Sequence, residues 1–453
     1  MLKASSPALI SGPVGPSLLR MAWPMCVGLL ANMLFNLVDT YFVGKLGQQE
    51  LAAMAFTFPL VFFVTGSSMG MSIGVSSVVS RAIGAGSGGR VKEITFHSLL
   101  LGVTMVLGLL AIGYPLLNPI LRGMGASEEM IPMIRSYMIP WACGIVFIVL
   151  PMIGNSVIRS TGNTLIPSMV MLVAGVMNVI LDPIFIFGWG PVPAMGLRGA
   201  ALATVIAYIT VFLVMLSLLR FRYKLLEFHF GGLRQILASW KEVLEIALPA
   251  VFTNQMIPVA NGVLTAIVAG YGEAALAAWG VSTRLESLMM SPFFALSTVM
   301  APFVGQNTGA GRQDRVGESL RFCGKCCIAG SLLIWILAAT SGPRISHLFS
   351  ENPDTRSLIE LHLWIVPLSY GFFAWKLQYT SAFNAQRHPL YSTATFLGRF
   401  FVFMIPLAWA GQHYFGLTGL YTGIALGNVG ALLLAHSLWR LLQYRSRRSA
   451  MSG

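Results

Sequence analysis

Long apolar runs alternate with short polar or Gly/Pro-rich breaks from end to end of the chain. They divide it into spans near 17–41, 53–79, 94–117, 131–157, 165–188 and 197–219, then 242–270, 276–303, 318–341, 357–384, 391–411 and 416–440. Each run is about 20 residues or longer, the length an α-helix needs to cross a hydrocarbon layer of about 30 Å. Stretches such as Leu99 to Leu117 and Leu202 to Leu219 are continuously apolar, whereas strands of an outer-membrane barrel show as alternating segments of about 10 residues. The pattern predicts an all-α integral membrane protein with twelve transmembrane helices.

The two halves of this pattern match each other. At a constant offset of 225, Ala22 and Pro24 recur as Ala247 and Pro249, Gly47 as Gly272, and Leu51-Ala52-Ala53 as Leu276-Ala277-Ala278. Gly84-Ala85-Gly86 recurs as Gly309-Ala310-Gly311, Arg90-Val91 as Arg315-Val316, and Glu93 as Glu318. After a small slip, Gly196-Leu197 and Gly199 recur as Gly416-Leu417 and Gly419. A shared register of punctuating residues points to duplication. The offset spans six helices, an even number, so both halves enter the membrane in the same direction as parallel repeats. The expected architecture is two pseudo-symmetric six-helix bundles around a central cleft. The domains are then an N-lobe over 1–219, a cytoplasmic linker over 220–241 and a C-lobe over 242–453. The linker mixes Arg222, Lys224 and Arg234 with Leu225, Phe228, Phe230 and Ile236, which suits the membrane interface.

Composition agrees with the pattern. Hydrophobic residues make up 56% of the 453 and charged residues 10%, against about 25% charged in soluble domains. The net charge of +13 does not suit nucleic acid, because a binder gathers its cations on one folded face and here they fall between apolar spans. With the N-terminus inside, twenty-one Lys and Arg lie in cytoplasmic segments, from Lys3 and Arg20 through Arg315 and Arg399 to Arg447 and Arg448. Six lie outside: Lys45, Arg122, Arg135, Arg198, Arg344 and Arg356. This bias places both termini in the cytoplasm. Only Lys3 and Arg20 precede or open the first run, and no cleavage site follows it, so it is expected to remain as the first helix. The five cysteines sit in apolar stretches and are expected to pack as free thiols. Cys323 and Cys326 lack the two further ligands a zinc site needs, so no metal is expected there.

An ionised carboxylate deep in a bilayer costs about 3 kcal/mol on insertion scales, so each one is a functional candidate. Asp39 lies toward the end of the first span and Asp182 within the fifth, while their counterparts in the second half are Leu264 and about Ile405. Asn178, four residues before Asp182, shares its helix face, and Thr204 of the sixth span adds a hydroxyl. Two carboxyls, an amide and a hydroxyl suit a proton or a hard cation such as Na⁺. The competing reading makes Asp39 a helix cap in the headgroup region and has Asp182 pair locally beside Pro183. Pro24, Pro249 and Pro258 remove helix hydrogen bonds and bend their helices. Arg284, Glu286 and Lys376 form either a structural ion-pair set or part of a second-lobe cavity wall. Met33, Met69, Met71, Met169 and Met171 suit a pliable apolar pocket as well as ordinary packing. Gly66-Ser67-Ser68-Met69-Gly70 matches the G-x-S-x-G of a nucleophile elbow, but with Gly74 it also reads as small-residue helix packing. The seven histidines fall mostly at loops or helix ends, and no H-E-x-x-H or P-loop occurs.

Taken together, these residues make the chain resemble the multidrug and toxic compound extrusion (MATE) family, in its DinF-type branch. The likeness runs over the whole chain, through Pro24, Val38-Asp39-Thr40, Gly162-Asn163-Thr164 with Pro167, Asn178 to Pro183 and Gly199 to Thr204. The resemblance implies a secondary active multidrug exporter of a bacterial inner membrane, alternating between outward-open and inward-open forms and driven by inward H⁺ or Na⁺. It places ion coupling on Asp39, Asn178, Asp182 and Thr204 and the helix bend at Pro24. It puts Asn155 and Met171, with Met33, Asn32 and Phe35, around the substrate cavity. No cofactor beyond the coupling ion is implied, H⁺ first, or Na⁺ at the same four residues. Implied partners are small amphiphilic or cationic substrates and membrane lipid, and a monomer is expected. A lipid-linked oligosaccharide flippase of the same superfamily stays open through Arg284 and Lys376, and an intramembrane serine hydrolase through Ser68.

Overall fold

A computed structural model describes residues 7–227 and 232–451. Residues 1–6, with Lys3, residues 228–231 of the expected linker and residues 452–453 lie outside the described residues. Helices account for nearly all the regular structure: α1 (Val14–Gly44), α2 (Gln48–Gly84), α3 (Gly88–Gly123), α4 (Met130–Ser160), α5 (Leu165–Phe187) and α6 (Leu197–Ser217), then α7 (Leu233–Ala269), α8 (Glu273–Gly309), α9 (Gln313–Phe349) and α10 (Pro353–Ala385). The stretch Pro389–Arg445 would follow as an eleventh apolar helix of 57 residues, about 85 Å at 1.5 Å per residue and too long for one crossing. It breaks at Phe415 (φ −130°, ψ 15°) and Gly416 (φ 57°, ψ −142°), giving α11 (389–414) and α12 (417–445). Twelve spans result among the described residues.

The helices pack as two compact units. One holds Trp23–Asn254; the other holds Pro7–Ala22 with 255–451. The borders fall inside α1 and α7 rather than in the polar stretch between α6 and α7. In the first unit α4 is central, packing against α2, α3 and α6, with Val75, Val79, Ile134, Val149, Ile153 and Val157 fully enclosed. Leu34, Leu37, Leu107, Ile112 and Ile180 stay exposed, as side chains do when hydrocarbon is the solvent. The small residues of the G-x-S-x-G stretch bring α2 against α7. A Cβ on Gly70 would meet Val251 N at 2.5 Å and one on Gly74 would meet Val243 O at 2.7 Å, so the two backbones approach closely.

The α2–α3 end makes ionic contacts to α7 and to the polar stretch before it. Arg90 reaches Glu242 at 3.0 Å and Glu93 at 2.9 Å, Arg81 lies 3.8 Å from Glu242, and Lys92 pairs with Glu227. Trp240 Nε1 donates to the carbonyl of His97 at 2.9 Å, and His97 Nδ1 bonds Ser239 Oγ at 2.9 Å. Two expectations change here. Helix α7 begins at Leu233, so the second half of the linker is helical, and His97 is buried inside α3 rather than at a loop.

In the second unit the later part of α10 packs against α8 and α9. Arg315, expected among the cytoplasmic charges, is only 9% exposed. Its guanidinium donates to the carbonyls of Leu9 at 3.0 Å and Gly12 at 2.6 Å and to Asn307 Oδ1 at 2.9 Å, tying down the short turn Pro7–Ser11.

The duplication is written in the backbone. Helices α2 and α8 each have 37 residues, and the residues opening the next helix, Ser87 (φ −86°, ψ 66°) and Arg312 (φ −88°, ψ 64°), share one conformation. Gly196 (φ 55°, ψ −132°) repeats as Gly416, a region that only glycine enters freely. Three residues on, a Cβ on Gly199 would stand 2.2 Å from Phe185 O, and one on Gly419 would stand 2.0 Å from Gly411 O. In both halves the last helix therefore lies directly on preceding backbone.

Gly199→Ala is expected to push α6 off α5 at a cost of about 1–3 kcal/mol, lowering the melting temperature in detergent by several degrees. Gly108→Ala, a helix-interior position with nothing within 4 Å of the added carbon, is expected to leave it unchanged or raise it. Equal melting temperatures for Gly199→Ala and wild type would show that the two helices are not in contact there.

Candidate functional site

Helix α1 continues to Gly44, so Asp39 lies five residues inside it and caps nothing. A carboxylate near a helix C-terminus also faces the unfavourable end of the helix dipole, which removes the capping reason for an acid here. Its neighbours serve the helix itself: Asn36 Nδ2 donates to Asn32 O and Thr40 Oγ1 to Asn36 O, both at 2.8 Å. Asp39 is 9% exposed, and its Oδ1 has no hydrogen-bond partner among the described residues.

Asp182 is fully buried in α5, one turn beyond Asn178. Pro183 has no N–H, so the carbonyl of Val179 loses its helix partner and the backbone around the acid is less fully bonded. The Asn178 amide sits between Asp182 and Thr204 of α6. With its nitrogen toward the acid, it donates to Asp182 Oδ2 at 2.6 Å and Oδ1 at 3.0 Å, while its oxygen accepts from Thr204 Oγ1 at 3.1 Å and Thr204 N at 3.2 Å. With the amide reversed, Nδ2 donates to Thr204 Oγ1 at 3.1 Å, and that hydroxyl donates to Ala200 O at 3.1 Å. The first arrangement satisfies an ionised carboxylate. The second presents the amide oxygen to a carboxyl that carries a proton.

Three of the four expected coupling residues are thus joined by hydrogen bonds. Asp39 is not bonded to them, but lies close enough for its charge to act on Asp182. The phenol of Tyr137, buried on α4, lies within the field of both acids. Sequence reasoning passed over Tyr137. The signal available was its repeat mate at offset 225, His362, which also puts a polar ring on the central helix of its unit.

The same place in the second unit is apolar and aromatic. Leu264, the mate of Asp39, is buried, and His362 is fully buried with neither ring nitrogen bonded among the described residues. Its ring stands edge-on to Tyr421 at 5.0 Å and to Trp279 at 6.0 Å. His362 stands in the last turn before the 3₁₀ break, a helix end as expected, but enclosed in the core.

Of the expected cavity residues, Asn155 is buried on α4 with its Oδ1 unpartnered, and no hydrogen bond among the described residues joins it to the acids. Asn32, Met33 and Phe35 of α1 and Met171 of α5 are half-buried. α1 runs against α5, where a Cβ on Gly28 would meet Ser168 at 3.2 Å and one on Gly175 would meet Phe35 at 3.5 Å. Pro24, which has no N–H to give the helix, lies inside α1 one turn before that contact. Met69 and Met169 are exposed, whereas Met71 is buried in the core. Ser68 is fully buried, and its hydroxyl donates to Val64 O at 2.8 Å. A hydroxyl bonded to its own helix, with no base bonded to it, is a packing group and not a nucleophile.

The MatE family model matches residues 24–184 and 249–410, one stretch in each half of the duplication. The FAD transporter of Shewanella oneidensis is 34% identical over 421 residues, covering 93% of each chain. The probable multidrug resistance protein YoeA of Bacillus subtilis is 28% identical over 425 residues, covering 91% of each. Among solved structures, the Vibrio cholerae MATE transporter VcmN in its bent form superposes with a TM-score of 0.91 at 30% identity, over 97% of this chain and 98% of that one. The matches are to transporters, and they cover both repeats. The chain therefore belongs to the MatE family, as a multi-pass membrane transporter of the two-lobe, twelve-helix type and not an enzyme.

Proposed function

We propose that the protein is a secondary active exporter of amphiphilic small molecules, driven by an inward cation gradient that acts at Asp39 and the Asn178–Asp182–Thr204 cluster. The observation that carries this reading is the arrangement of the acids. Asp39 keeps an unpartnered oxygen away from water, and Asp182 is bridged by an amide that can serve its charged or its protonated form. A proton is the coupling ion this favours, since the cluster has a donor and acceptor pattern for both states. Na⁺ is the second reading, because the same oxygens suit a hard cation. Uptake of a cation by Asp39 removes a buried charge beside Asp182, and α1, which contains Pro24 and packs on α5, is the element placed to respond.

For the cargo, relatives named as multidrug resistance proteins support amphiphilic or cationic drugs, while the FAD transporter supports a bulkier aromatic anion. The half-buried Met33, Phe35 and Met171 suit flat aromatic rings of either charge.

Efflux of a cationic dye from proteoliposomes, with a pH or Na⁺ gradient imposed separately, tests the coupling. Asp39→Asn is expected to abolish gradient-driven efflux while dye binding persists. Unaltered efflux in that variant at every pH would remove Asp39 from coupling. Activity with Na⁺ alone would replace the proton by Na⁺ at the same residues.

Thr204→Val removes one hydrogen bond from the amide bridge. A bond linked to a charged group is worth about 1.5–3 kcal/mol, so efflux is expected to fall about tenfold or more with dye affinity unchanged. A normal rate would place Thr204 outside the working cluster.

A further inference from the structure

The second unit holds a group of ionisable side chains that the coupling cluster does not use. Lys376 lies on α10 and is 2% exposed, and among the described residues its Nζ makes no hydrogen bond and no ion pair. It stands 6.0 Å from the centre of the Phe396 ring. Arg399, expected among the cytoplasmic charges, is instead 8% exposed in a π-helical stretch of α11, Gly398–Met404. Its Nε donates to Asn428 Oδ1 at 2.9 Å, and Asn428 Nδ2 donates to Ser369 Oγ at 2.9 Å. Ser369 closes the 3₁₀ turn Pro367–Ser369 that interrupts α10. The guanidinium lies 3.6 Å from the centre of the Phe373 ring and 4.7 Å from that of Phe400. Two departures from regular α-helix thus meet at one arginine, a feature frequent at functional sites.

One carboxylate shares this place. Glu286 of α8 is half-buried and within the field of Arg399, yet it forms no contact ion pair with Arg399 or Lys376 among the described residues. Arg284, weighed with it from the sequence, is exposed. Lys376 and Arg399 act on each other as like charges. With all three groups ionised the cluster carries one positive charge in excess, away from water, where an uncompensated charge is costly. The fold does not need that charge: at offset 225 the same positions in the first half are Val61, Pro151 and Ala174.

We propose that Lys376 and Arg399 form a binding site for one anionic group, a phosphate or carboxylate, carried by an amphiphilic molecule. Asn428 and Phe373 hold the guanidinium by one edge and one face. The Nη groups make no hydrogen bond among the described residues, and a fork fixed in this way presents two parallel N–H groups to an oxyanion. Lys376 Nζ supplies the second cation. Glu286, within the field of Arg399, keeps the excess of the unliganded cluster to one charge. Phe373, Phe396 and Phe400 provide an apolar or aromatic surround for the rest of the ligand. The anion belongs to a transported molecule or to a lipid headgroup. The first source rests on the export reading, but the site itself does not.

Riboflavin 5′-phosphate and riboflavin differ only by the phosphate, and their fluorescence reports binding to the full chain in nanodiscs of zwitterionic lipid. Wild type is expected to bind the phosphate ester at least about tenfold more tightly. Lys376→Met, which keeps the side-chain length, is expected to remove that preference, with riboflavin binding and melting temperature unchanged. Asp39→Asn is expected to keep the preference, which separates this site from the coupling reading. Loss of the preference when phosphatidylglycerol replaces part of the lipid would assign the site to a lipid headgroup. Equal affinities for the two flavins in wild type, or a preference that survives Lys376→Met, would overturn the proposal.

Discussion

Inside hydrocarbon there is no water to complete a hydrogen bond, so every polar group must find its partner in the protein or go without. Most hydroxyls here turn back onto their own helix. Thr65, Ser68, Thr95 and Thr104 donate to carbonyls one turn earlier at 2.7–3.0 Å, which hides the polar atom and leaves the helix intact. Arg315 shows the same constraint met by a full charge: three oxygens surround its guanidinium. Against that background, Asp39 and Lys376 are buried ionisable groups that, like His362, have no hydrogen bond or ion pair among the described residues. Stability alone does not account for keeping either.

Duplication gives the two units one backbone plan, and the exceptions to it fall at chemically distinct residues. Gly196 and Gly416 share a backbone conformation, and Gly199 and Gly419 lie equally close to preceding backbone, because those positions set how helices meet. Where packing does not dictate the residue, the halves differ. Asp39 is matched by Leu264 and Tyr137 by His362, while the charged Glu286, Lys376 and Arg399 are matched by Val61, Pro151 and Ala174. At these places the first unit carries the acid Asp39, and the second the cations Lys376 and Arg399 beside Glu286. A fold that tolerates apolar residues at each of these places in one copy has no structural need for the charge in the other.

How much of this was legible in the sequence follows from what each signal measures. Span length and the repeated register of Gly47, Gly84 to Gly86 and Gly196 to Gly199 report backbone requirements, so the twelve spans and the two-lobe plan could be read directly. The acids could be located because a carboxylate within an apolar run is rare, and Asn178 follows from helix periodicity. Arg399 and Arg315 could not, because a cation near a span boundary looks the same whether it faces headgroups or turns inward. A π-helical stretch leaves no hydrophobic period to detect. Tyr137 was missed because tyrosine is common near membrane interfaces and only its place beside two acids distinguishes it. The start of α7 was hidden by Arg234 and Lys241, exposed charged residues that break the apolar run.

Under the coupling reading, asparagine at position 178 gives a protonation change a route across several ångströms without moving a helix. A carboxylate there would add a third acid, and leucine would leave Asp182 with no partner on α5. An amide has a donor and an acceptor of nearly the same shape, so reversal about one side-chain bond exchanges them. When Asp182 is charged, Nδ2 faces it and the Thr204 hydroxyl turns to the amide oxygen. When Asp182 holds a proton, the amide oxygen accepts it, Nδ2 turns to Thr204, and the hydroxyl returns to the carbonyl of Ala200. In either orientation the amide keeps a hydrogen bond to Thr204, which limits the penalty of about 1–3 kcal/mol for an orphaned buried group. Under the coupling reading this near balance is what lets Asp182 follow the charge of Asp39. The free energy of the gradient is then available for rearranging α1, because little of it is lost in remaking the bonds around the second acid.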